Sequence, residues 1–138
     1  MKVSKLEGAL LDVWIAKALD YDVVKAKGNY FRVFDNEGDP VGRIDAHTPN
    51  CYTNLSWSTN WEQGGLIIER EEIDIRRNWP ALNRCGGDLS RKWFAEIIDP
   101  DKDYRIAYGP TPLIAAMRCF VASKFGDEVE LPEQLESK

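Results

Sequence analysis

His47 is the only histidine in the chain, and with Cys51 it forms a pair at i,i+4 spacing, half of what a tetrahedral zinc site requires. No second pair stands at metal-ligand spacing elsewhere, so His47 reads as an ordinary loop residue. A Ser-His-Asp or Cys-His nucleophilic pair would have to use it, and nothing in the sequence nominates the partner. Asp99-x-Asp-x-Asp103 and Asp35-x-Glu-x-Asp39 imitate the opening of a calcium loop. The sixth position of such a loop must be glycine and here is Tyr104 or Pro40, and the twelfth position of the first is Pro110. Both read as solvated carboxylates at hairpin tips. Glu69, Glu71 and Glu72 offer an acid and a base without further catalytic partners, which leaves them as a solvated face. The expectation is no metal, no cofactor and no catalytic residue.

Anion binding and aromatic contact have better material. Gly64-Gly65 precedes a short helix expected over 66–72, and Pro110-Thr111-Pro112 precedes a longer one; helix starts can present backbone donors to an anion. Neither matches a Walker loop or a dinucleotide fingerprint, and turn and cap roles explain both. Arg70, Arg76, Arg77, Arg84, Arg91 and Lys92 outline a basic strip, to which Trp79 and Trp93 add stacking surfaces. Trp57 and Trp61 sit in a stretch that reads as loop over 45–63. Each is large enough to bury on the order of 150–250 Å². Either they fold the loop down over the core or they rim a pocket, and the first is favoured because a loop of that length needs an anchor.

The elements that position these residues are organised around 108–126. Thr111 caps a helix, Pro112 suits its first position, and Gly126 suits its end, with Lys124 in the last turn. Phe120, Leu113, Met117, Val121, Ile114 and Phe125 form one apolar arc; Ala115, Cys119 and Ala122 leave room for close approach. Arg118, Ser123 and Lys124 are the polar remainder. Ser4-x-x-Glu7 has capping-box spacing ahead of a second helix over 5–19. Short runs at 23–27, 30–34, 41–44, 73–76, 93–98 and 104–108 are rich in β-branched and aromatic residues. The order lacks strict βαβ alternation. The expected fold is α+β: a small antiparallel sheet (hairpins 30–44 and 93–108) packed against two long helices, 5–19 and 112–125.

The 138 residues make one domain by size, here 1–138 with a loosely ordered acidic C-terminal tail. A net charge of −5 and a pI near 4.9 argue against a sequence-independent nucleic-acid binder. Cys51, Cys85 and Cys119 are an odd set without CxxC spacing, which reads as reduced thiols, with Cys119 buried and inert. No stretch approaches a membrane span or a signal core, so the expectation is a cytoplasmic chain, taken as a monomer.

Trp61-x-x-Gly64-Gly65-x-Ile67-Ile68-Glu69-Arg70, Trp93-x-Ala95 and the run from Tyr108 to Gly126 with its Val129-Glu-Leu-Pro132 tail carry a resemblance. The chain resembles the small NinX-like proteins of lambdoid and related bacteriophages and prophages over most of its length, most specifically in Gly109-Pro-Thr-Pro-Leu-Ile-Ala-Ala-Met-Arg118. The resemblance implies an accessory factor made inside the bacterial host, and it carries no functional residue over.

Two readings of function follow. One is a non-enzymatic module that binds a host or phage protein through Trp57, Trp61, Gly64, Gly65, Glu69, Arg70 and the Tyr108–Thr111 turn. The other is a small-molecule or nucleotide pocket under the 45–63 loop. It would use the helix starts near Gly65 and Thr111 for an anion, with Arg118 as its cation.

Overall fold

A computed structural model describes residues 1–26, 28, 30–45, 54–79, 89–98 and 104–130. A 3-10 turn at Val3–Lys5 leads into α1 (Gly8–Ala18), and a meander of β1 (Asp22–Lys25), β2 (Tyr30–Phe34) and β3 (Pro40–Asp45) follows. α2 (Trp61–Glu71) separates that meander from β4 (Asp74–Arg77), β5 (Trp93–Ile97) and β6 (Arg105–Gly109), with a 3-10 turn at Leu89–Arg91. α3 (Pro112–Phe125) comes last. The α+β class is as expected. The strands divide, however, into two antiparallel three-stranded sheets, β1-β2-β3 and β4-β5-β6, rather than one. Each sheet is a sequential meander, and α2 lies between them in the chain, so β3 and β4 never become neighbours.

α3 is the centre of the fold. It lies on the second sheet and also packs against α1 and α2. Leu113, Ala115 to Ala122, and hence Met117 and Phe120, are all buried. The Thr111 cap forms as expected: its Oγ1 accepts from the Ile114 N–H at 3.1 Å. Phe125, placed on the apolar arc by periodicity, is instead 42% exposed at the helix end, where it meets Trp14 edge-on at 5.3 Å.

Two local expectations are corrected. Ser4 and Glu7 make no capping box, and α1 starts at Gly8 without a side-chain cap. The preceding residues are held elsewhere: the Val3 N–H donates to Asp127 O at 2.9 Å, and Gly8 turns the chain into α1 at φ +58°. The second correction concerns Gly64 and Gly65, which lie inside α2, not ahead of it. The helix begins at Trp61, and Asn60 Oδ1 accepts from the Glu62 N–H.

Gly64 is where α2 crosses its neighbours. A Cβ there would collide with the Trp57 carbonyl oxygen and stand 2.6 Å from Leu113 Cδ1. A Cβ on Gly65 meets nothing within 4 Å. Gly64→Ala is therefore expected to lower stability by about 1–3 kcal/mol in urea unfolding, helix propensity notwithstanding. Gly65→Ala should raise it by about 0.4–1 kcal/mol. Equal effects at the two positions would contradict the close approach.

Candidate functional site

Arg118 projects from the middle of an otherwise apolar helix and is only 6% exposed. Its Nε donates to Leu6 O at 2.8 Å, and its Nη1 donates to Tyr108 O at 2.9 Å. One guanidinium thus fastens the N-terminal turn to the end of β6. Burial lowers its pKa, and the nearby Glu7 charge partly offsets this. Its Nη2 bonds to no described residue.

Beside this guanidinium opens a cavity of about 580 Å³, within the range of small-ligand sites. Lys2, Lys5, Arg91 and Arg118 line it together with Ser4, Ser90 and Tyr108, and Glu7 is the only carboxylate among the described residues. Its walls are fixed by backbone bonds. Lys5 N donates to Lys2 O at 3.0 Å, Leu6 N to Val3 O at 3.0 Å, and Val129 N to Met1 O at 2.9 Å. On the far side, Asn78 Nδ2 donates to Arg91 O at 2.8 Å, and the Arg91 guanidinium lies over the Tyr108 ring at 4.3 Å. Among the described residues, four cations face one carboxylate around a concave floor, and a planar guanidinium with an edge bonded to none of those residues has the chemistry that suits phosphate or carboxylate.

The residues proposed from sequence do not form one surface. Trp57 is buried, stacked on Tyr21 at 6.5 Å, so it belongs to the core. Gly64 is buried with it. Trp61 is 54% exposed and shares the outer arc of α2 with Glu69, Arg70 and Leu66, the last 68% exposed. Arg70 Nε bonds Glu71 Oε2 at 2.9 Å in a solvated pair. Thr111 is occupied as a cap. Only Tyr108 and Arg118 meet in the cavity. Lys2, Lys5 and Glu7, which also line the cavity, are not among the candidate binding residues named from sequence, and nothing local in the sequence marks them. The helix-start donors proposed near Gly65 are used within α2: the Gly64 N–H, for one, donates to Asn60 O at 2.8 Å.

The other features resolve more simply. Asp35 Oδ1 accepts from the N–H groups of Glu37 and Asp39, both at 2.9 Å, so this carboxylate shapes a turn. In the basic strip, Arg76 lies over Phe94 at 4.7 Å and Arg77 over Trp79 at 4.5 Å. Cys119 is buried, as expected, and burial pushes its thiol up to about 12. Among the described residues no three acidic, histidine or cysteine side chains cluster to hold a metal. His47, Cys51, Arg84, Cys85 and the Asp99–Asp103 motif lie outside the described residues. No described helix is long and apolar enough to cross a membrane.

Close to the 45–63 stretch is a cavity of about 180 Å³, lined by Asp12, Asp45, Asn54, Ser56 and Thr59 among others. Asp12 is 4% exposed, and burial pushes its carboxyl up to about 7. Ser58 pulls the other way, chiefly through its N–H, which donates to Asp12 Oδ1 at 2.9 Å. The hydroxyl helps less, since Oγ makes no hydrogen bond of normal geometry.

The family model described as "Bacteriophage P22, NinX" matches residues 2–124. A crystal structure of a phage protein from Bacillus cereus ATCC 14579 superposes with a TM-score of 0.55. The two are 17% identical over 86% of this chain and 92% of that one, so the likeness concerns the fold alone. No curated protein sequence matches.

Proposed function

The chain belongs to the bacteriophage P22 NinX family, and on that premise we propose that it is a non-enzymatic binding module, working in the host cytoplasm, whose Arg118 cavity holds an anionic group of a host or phage protein. The observation that supports this most is the placement of Arg118. A cation is kept in the core by two main-chain carbonyls while a further edge stays available to a cavity lined by Lys2, Lys5 and Arg91. Burial lowers the effective dielectric there, so an oxyanion in the cavity gains more than at an open surface.

Acetate, inorganic phosphate and pyrophosphate are the probes. At least one is expected to bind in calorimetry, with affinity falling as salt rises. The Lys5→Gln/Arg91→Gln double variant should weaken it at least tenfold, about 1.4 kcal/mol. No binding, or binding unchanged in the variant, would overturn the reading.

A second surface has its own observation, the exposed Trp61 and Leu66 on α2, whose arc also carries Glu62 and Glu69. Capture from infected-cell extract separates the two surfaces. On the cavity reading, Trp61→Ala retains the partners of wild type and Arg91→Gln loses them. The reverse pattern favours α2. The alternative site under the 45–63 loop draws no support as an anion pocket, because its cavity carries Asp12 and Asp45.

A further inference from the structure

β6 is an outer strand: it pairs with β5 on one side, and no described strand lies on the other. Beside it runs a trough of about 330 Å³, walled by Ile106 to Tyr108 of β6 and by Lys2 to Ser4, with Ala122 of α3 also in its lining. Lys2, Ser4 and Tyr108 belong to both this trough and the Arg118 cavity, so the two adjoin. The two differ in their lining. Arg118, Lys5 and Arg91 belong to the cavity side; Val3, Ile106, Ala107 and Ala122 give the trough an apolar stretch; Asp127 and Glu128 belong to the trough side, where the backbone of Lys2 bridges to Glu128. Asp127 makes only an exposed contact to Arg105 at 3.4 Å, and Glu128 has no ion pair among the described residues.

Building on the reading above, we propose that the occupant is the C-terminal end of an extended peptide, laid along the open edge of β6 with its terminal carboxylate at Arg118 and a basic residue upstream against Asp127 and Glu128. Three features favour this occupant over a compact anion. The outer edge of β6 has no described strand beside it, although Arg118 already takes Tyr108 O, and a strand edge offers main-chain hydrogen bonds to an extended chain, which is how peptides are commonly added to a sheet. The apolar stretch suits side chains rather than a bare phosphate. Two carboxylates on the trough side and the Arg118 cluster on the cavity side match a chain that is anionic at its end and cationic a few residues earlier, and a trough flanking the three residues Ile106 to Tyr108 takes about three residues of an extended chain.

The test is selection from a random peptide library displayed with free C-termini, then fluorescence anisotropy of recovered sequences as the acid and as the amide. Pyrophosphate binding is measured alongside. The expected result is enrichment of Lys or Arg two to four positions before the end, with at least thirtyfold weaker binding of the amides. The Asp127→Asn/Glu128→Gln variant, altered at two surface positions, should lose the basic preference and keep the discrimination between acid and amide. Equal binding of acid and amide, or recovery of no sequence while pyrophosphate still binds, overturns this proposal and leaves the anion site standing. Basic preference unchanged in the variant overturns the orientation. Failure of every probe removes both.

Discussion

Arg118→Met is expected to lose about 2–4 kcal/mol of stability in urea unfolding and to abolish anion binding. The methionine replaces the apolar stem of the arginine but none of its donors. Leu6 O and Tyr108 O then lose bonds of 2.8 and 2.9 Å, and an unpaired buried polar group costs about 1–3 kcal/mol. Relief of the desolvation cost of the cation offsets part of that, so the net is smaller than the sum. Arg118→Lys should fall between, because an ammonium lacks the planar fork that reaches both carbonyls at once. A methionine variant as stable as wild type would show that the two bonds contribute nothing net. The separate binding measurement on Lys5→Gln/Arg91→Gln keeps the functional claim independent of folding, since neither of those residues holds the core.

The second large effect is pH-dependent and comes from Asp12. Its carboxyl is pushed from 3.8 up to about 7 by burial. A raised native pKa means that the folded chain holds this proton more tightly than the unfolded chain does. The stability it contributes is fully present below about pH 3.8, falls as pH rises toward 7, and is gone above that. At about 1.36 kcal/mol per pH unit, the change across the window is about 4 kcal/mol. Asp12→Asn keeps an Oδ1 to accept from the Ser58 N–H and has nothing to ionise. It should match wild type near pH 4 and exceed it by about 2–4 kcal/mol at pH 8. Urea midpoints at the two pH values measure this, the difference between variant and wild type cancelling the other titrating groups. A gap independent of pH, or a variant weaker than wild type at pH 8, would contradict the buried carboxylate.

What the sequence made legible was local. The Thr111 cap, the apolar span of α3 and the hairpin around Asp35 each depend on residues within a few positions, so their signals survive in one dimension. Arg118 was legible as a polar residue on an apolar helix and as a candidate cation for an anion, but not as a clasp, because its partners lie far off: Leu6 is 112 positions away and Tyr108 is 10. The Ser4-x-x-Glu7 spacing is a real capping signal, overridden by the bond from Val3 to Asp127 at the other end of the chain. Gly64-Gly65 was misread for a different reason. Glycine serves both turns and close approach, and only the neighbours, here Trp57 O and Leu113, show which. Trp57 and Trp61 are four positions apart, yet one closes the core and the other faces solvent, since a turn intervenes before α2 begins. Arg118, Tyr108 and Arg91 were named from sequence, but not the cavity that joins them to Lys2 and Lys5. Its lysines and arginines come from three separate stretches, and their charges are diluted in a chain that is acidic overall.

The most direct measurement is a two-dimensional NMR titration of the isotope-labelled protein with the tightest of the three small anions, following backbone amides and the arginine Nε–H signals. The expected result is saturable movement centred on Ser4, Lys5, Ser90, Arg91 and the Arg118 Nε–H, with α2 unmoved. Movement centred on Trp61 to Arg70, or no saturable movement anywhere, would contradict an anion site at Arg118.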